Sequence, residues 1–147
     1  MHRAFHGMVP LNNRLGVVID RLDYGYAKTT LPYQESFIGD PKRSTIHGGV
    51  ITTLLDTTAG MAAFMSLKEL VPFATLDLRI DHLTSAAPGA DIEAEAKLIK
   101  HTRSVIFLEA TAFFKGDSDP ISRATVTFML GTPLAPGTAR PDWEVPT

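Results

Sequence analysis

Between residues 48 and 67 the apolar positions recur at a helical interval. At about 100° per residue, Val50, Ile51, Leu54, Leu55, Thr58, Met61, Ala62 and Met65 share one arc, which predicts an amphipathic helix entered through His47-Gly48-Gly49. Elsewhere the period falls to two. Residues 15–22 and 26–31 read as a hairpin turned at Asp23-Tyr24-Gly25 and ended by Pro32. Residues 37–46, with Gly39-Asp40-Pro41, read as a loop that delivers the chain to the helix.

After Pro72 the chain alternates strand and turn. Residues 75–81 place Leu76, Leu78 and Ile80 on one face and Thr75, Asp77, Arg79 and Asp81 on the other. Residues 92–98 put alanines on an inner face where a helix approaches closely, and 105–114 and 121–130 complete the set, the last with Ala124, Val126, Phe128 and Leu130 inward. Pro10 is read as stopping any helix begun before it. Six strands and one long helix predict an α+β arrangement, an antiparallel sheet curled around a central helix.

The second face of that helix changes the picture. Where a surface helix carries Lys, Glu and Arg, this one has Gly49, Thr52, Thr53, Gly60 and Ala63, and its single charge is Asp56. A helix without a charged face is covered all round. A carboxylate in such a place needs a partner or a chemical task, because burying it alone is costly. At the other end, Gly48 and Gly49 offer unshielded N–H groups at the positive end of the helix dipole, donors suited to an anionic oxygen. Asp56 stands nine residues after His47, roughly 13 Å away at the helical rise. One reacting centre therefore touches both only if two copies of the helix meet with offset ends, which predicts a symmetric dimer with shared sites.

Composition narrows the class. A chain of 147 residues suits one domain, assigned here to 1–131, followed by a proline-rich irregular tail over 132–147 in which Trp143 is a candidate anchor. With 14 Lys and Arg against 16 Asp and Glu, and no basic run interleaved with aromatics, nucleic acid is a poor partner. The absence of cysteine excludes disulfides, thiolate zinc sites and a cysteine nucleophile. His2 and His6 are read as terminal surface residues, not metal ligands. Residues 1–7 lack an apolar signal core and no run is long enough for a membrane span, so a cytoplasmic protein without membrane partners is expected.

His47-Gly48-Gly49, Asp56 and Gly60, with the strand 75–83 and Glu93-Ala94-Glu95-Ala96, together resemble the hotdog-fold acyl-CoA thioesterases of the phenylacetate-degradation type, in the 4-hydroxybenzoyl-CoA thioesterase superfamily. The resemblance covers about residues 12–131 and implies a homodimer, often paired into a homotetramer, with active sites between subunits. It implies that Asp56 acts as general base or nucleophile and that the Gly48 amide polarises the thioester carbonyl. It further implies that His47 orients the substrate or the site loop, and that Thr75 helps position water. Where many relatives carry Asn before the histidine, this chain has Asp40-Pro41; Asp40 is either a substitute acceptor or the cap of a turn.

Thioester hydrolysis needs a base or nucleophile, oxyanion donors and an acyl slot, with no metal or redox cofactor. Asp56 and the Gly48 and Gly49 amides supply the first two, while Ile51, Leu54, Leu55 and Phe64 read first as core. Arg79, Lys100, His101 and Arg103 are candidates for holding the CoA phosphates, with Lys42 and Arg43 read as a solvated loop tip. Two rival readings use the same residues: a hydratase or dehydratase built on His47 and Asp56, and a non-catalytic acyl-CoA binding module.

Overall fold

The computed structural model describes residues 9–132; His2, His6, Trp143 and the tail from 133 onward lie outside the described residues. The chain begins with a short helix α1 (Pro10–Leu15), in which Pro10 opens the first turn. Its ring fixes φ where the helix needs it, and its missing N–H is one that no helical carbonyl would have used. The expectation that Pro10 stops a helix begun before it falls on residues outside the described ones; what the structure adds is that Pro10 starts one. The first strand accordingly begins later than alternation suggested, as β1 (Val18–Asp23) hairpinned to β2 (Tyr26–Leu31).

The stretch expected to be a plain loop folds as a small hairpin, β3 (Ile38–Asp40) with β4 (Thr45–Ile46). The long helix α2 (Gly48–Phe64) follows. The remaining strands are β5 (Phe73–His82), β6 (Ile92–His101), β7 (Val105–Phe114) and β8 (Pro120–Leu130). Six of the strands form one antiparallel sheet in the order β1-β2-β6-β7-β8-β5, so β1 and β5 are its edges.

The sheet is built to let α2 sit close. Its register aligns Ala27, Ala96, Ala110 and Ala124 in one rung across four strands, and Thr29, Ala94, Ala112 and Ser122 in the next. All eight are buried. Larger side chains at these positions would hold the helix off; with small ones, Leu54, Leu55, Ala59 and Ala62 of α2 reach zero exposure against the sheet. The polar contact between helix and sheet at Thr58 is satisfied internally: Thr58 Oγ1 donates to the Leu54 carbonyl at 2.7 Å, leaving the Thr29 hydroxyl, 2.7 Å away, to donate to Thr58.

β5 departs from the strict alternation read from sequence. Thr75 pairs with Phe128 and Asp77 with Thr127, so Leu76 is an extra residue opposite neither. Such a bulge reverses the face on which the preceding side chain points. Leu76, expected to be buried beside Leu78 and Ile80, is 56% exposed. Thr75, expected on the face of Asp77 and Arg79, instead shares the inward face of Phe128, Leu78 and Ile80.

The alanine rungs give a stability test. Ala96→Leu places three extra heavy atoms beneath α2, and overpacking of this kind is expected to cost about 1–3 kcal/mol, read as a lower urea midpoint at unchanged slope. An unchanged midpoint contradicts the close-packing account.

Candidate active site

The start of α2 is set by backbone contacts before any functional side chain is considered. His47 N–H donates to the Phe37 carbonyl at 2.8 Å, and Ile46 N–H to the Ala86 carbonyl at 2.9 Å, fixing β4 between two loops. Gly39 makes this possible: a Cβ there would stand 2.8 Å from His47 Cβ, closer than real side chains approach. Beyond it His47 is the N-cap, and its Nδ1 accepts the Gly49 N–H at 2.9 Å. An Nδ1 that accepts leaves the ring proton of a neutral imidazole on Nε2.

The two glycine amides are therefore not equivalent. That of Gly49 is taken by the cap, while among the described residues none accepts from Gly48 N–H, which lies at the edge of a cavity of about 330 Å³. Ile46 and Ile51 form apolar parts of its wall, and His82, Thr84 and Ser85 polar ones.

Two turns along α2, the half-buried Asp56 accepts a hydrogen bond from Thr75 Oγ1 at 3.0 Å. The bulge at Leu76 makes this contact. Asp56 is the lone acid of the helix, and it meets a hydroxyl on the edge strand rather than a cation. Gly48 and Asp56 of one chain are separated by eight residues of helix, about 12 Å along the axis.

Of the other residues singled out from sequence, Asp40 is occupied locally. Its Oδ1 accepts from Lys42 N–H at 2.9 Å and Arg43 N–H at 3.3 Å, the pattern of a turn cap. Arg79 lies on the outer face of the sheet, 3.3 Å from Asp81, and not beside Gly48. His101 sits at the far end of α2, its Nδ1 3.4 Å from Ser66 Oγ, with Arg103 exposed in the turn that follows. Perturbed titrations fall on the outer face too: a hydrogen bond from Lys28 to Glu93 raises the pKa of that lysine, and burial raises that of the Tyr26 phenol.

Sequence reasoning missed His82. It shares the inward parity of Leu78 and Ile80, and Ser122 shares that of Ala124 and Val126; two polar residues at inward positions of neighbouring strands were the available signal. They pair at 2.9 Å, His82 Nδ1 with Ser122 Oγ. Among the described residues no cluster of three or more His, Asp or Glu is arranged to hold a metal, and no helix is long and apolar enough to cross a membrane.

A six-stranded antiparallel sheet packed on one long helix in this strand order defines the hotdog fold, and solved structures agree. A protein from Pseudomonas aeruginosa is 34% identical with a TM-score of 0.75, covering 86% of this chain and 96% of that one. A thioesterase family protein from Silicibacter pomeroyi is 28% identical with a TM-score of 0.78, covering 87% and 93%. The Escherichia coli PaaI protein of the phenylacetic acid degradation operon, at 16% identity and a TM-score of 0.77 over 89% and 95%, shares the fold. The family model of the thioesterase superfamily matches residues 44–121. The chain belongs to that superfamily, and it is a thioester hydrolase. Among curated relatives, the medium/long-chain acyl-CoA thioesterase YigI of Salmonella typhimurium is 27% identical over 136 residues, 84% of this chain and 86% of the relative.

The cap carries its own prediction. His47→Ala frees the Gly49 amide and is expected to cost about 0.5–2 kcal/mol, with faster hydrogen exchange at Gly49. Unchanged exchange there contradicts the assignment of His47 as cap.

Proposed function

We propose that the protein hydrolyses acyl-CoA thioesters to free acid and coenzyme A, at sites shared by two copies of the chain. The observation that carries this reading is the Asp56–Thr75 pair at the middle of a helix whose start presents the open Gly48 amide. The acyl-CoA thioesterases among the relatives support the substrate class.

The chemistry follows from those groups. Thr75 holds Oδ1 of Asp56, and Oδ2 takes a proton from water as the water oxygen adds to the thioester carbonyl carbon. Charge gathers on the carbonyl oxygen, where the Gly48 N–H, at the positive end of α2, receives it. Collapse breaks the C–S bond. The proton held by Asp56 passes to the sulfur, and the products are the acid and the thiol of coenzyme A. His47 keeps the first helical turn in shape through Gly49, so that Gly48 alone points its amide at the substrate.

Twelve ångströms of helix separate base and donor within one chain, a gap estimated from the helical rise at about that length. β5 supplies the remedy. It is a ten-residue edge strand with a free side, and an uncovered edge of that length is a template for pairing. Antiparallel pairing of two copies about the middle of β5 brings the Thr75 end of one strand to the His82 end of the other. Asp56 and Thr75 of one protomer then face Gly48 of its partner, and the subunits are related by a two-fold axis. For the phosphates of coenzyme A, Lys100, His101 and Arg103 at the β6–β7 turn are the proposed cationic groups. Arg79 and Asp40 are already engaged with Asp81 and with their own turn.

Thiol release from a panel of medium- and long-chain acyl-CoAs tests the reading. Asp56→Asn is expected to lower kcat by about 10²–10⁴-fold with KM little changed. Hydration of an enoyl-CoA without thiol release would support a hydratase instead, and saturable binding with neither reaction would support a binding module.

A further inference from the structure

We propose that His82 is a second oxyanion donor of this site, its Nε2–H sharing the thioester carbonyl oxygen with the Gly48 amide; the inference rests on the hydrolase reading above. The ring stands over the helix start. A Cβ built on Gly48 would lie 3.3 Å from His82 Nε2 and 3.6 Å from Cε1, so the Nε2 edge of the imidazole faces the glycine directly, and both residues line the same cavity.

The ring is also held. Its Nδ1 is 2.9 Å from the hydroxyl of Ser122, which is fully buried at the end of the small-residue rung on β8. A serine hydroxyl can donate to Nδ1, and the tautomer that results carries its proton on Nε2, pointed at the cavity. Negative charge developing on a carbonyl oxygen beside Gly48 selects that tautomer. The need for such a donor arises within the site: the Gly49 amide is committed to His47, which leaves the Gly48 amide as a single donor where acyl-transfer sites ordinarily present two. His82 lies on the same protomer as Gly48. The base, Asp56, comes from the partner in the proposed dimer, so donors and base approach the carbonyl from opposite sides of the seam.

Two isosteric substitutions separate this role from a structural one. The amide nitrogen of a glutamine overlays Nε2 of histidine, whereas that of an asparagine overlays Nδ1. His82→Asn keeps a partner for Ser122 and removes the donor toward Gly48. It is expected to lower kcat for acyl-CoA hydrolysis about 10²-fold with KM within twofold and an unchanged melting temperature. His82→Gln restores a donor at the reacting position and is expected to recover at least tenfold of that loss. Wild-type kcat in His82→Asn, or equal losses in the two variants, overturns the inference while leaving the hydrolase reading intact. A wild-type protein that frees no thiol from any acyl-CoA overturns the hydrolase reading, and this inference with it.

Discussion

The Thr75 hydroxyl reaches the Asp56 carboxylate because β5 carries one residue more than its neighbour can match. Without the bulge at Leu76, strict alternation would turn Thr75 to the outer face with Asp77 and Arg79. Asp56 would then face a strand of apolar side chains. A carboxylate half-removed from water needs hydrogen-bond donors, or its ionised form becomes costly. The extra residue supplies one at 3.0 Å, at the expense of exposing a leucine on an edge strand. Bulges near sheet edges commonly re-aim a side chain in this way, and here the re-aimed residue stands beside the one acid of the central helix.

Close packing of α2 on the sheet is the second condition, since the contact between helix and edge strand is only as good as the distance between layers. The alanine rung from Ala27 to Ala124 and its neighbour from Thr29 to Ser122 bring the helix down along its whole buried face. The same rung ends, one strand further on, at His82, whose register partner is Ser122. One geometric device therefore serves both the middle and the start of α2: it brings Asp56 to Thr75 and holds the His82 ring against Gly48.

Much of this was legible in the sequence. The helix over residues 48–64 announced itself through its period and its uncharged second face, and the alanines of residues 94 and 96 marked where it would lie. His47-Gly48-Gly49 and Asp56 stood out because together they put helix-start amides and a lone acid on one uncharged helix. What was not legible depended on register. Alternation fixes which residues share a face only while the strand is unbroken, and nothing in Thr75-Leu76-Asp77 marks the bulge. The short helix that Pro10 opens was not read either, because proline both opens and ends helices, and only the chain following it decides which. The division of labour between Gly48 and Gly49 could not be seen either, because it rests on the rotamer of His47.

The central claim is that base and oxyanion donor meet across two chains, and subunit complementation tests it most directly. Asp56→Asn removes the base from one side of each site; Gly48→Val, whose side chain would collide with His82, blocks the other. Neither variant alone should release appreciable thiol. When the two are mixed under conditions of subunit exchange, random pairing makes hybrids in which one of the two sites carries both lesions and the other carries none. Activity should then return to about a quarter of the wild-type level. A mixture no more active than the mean of its two parents would show that the site is completed within a single chain and would contradict the account.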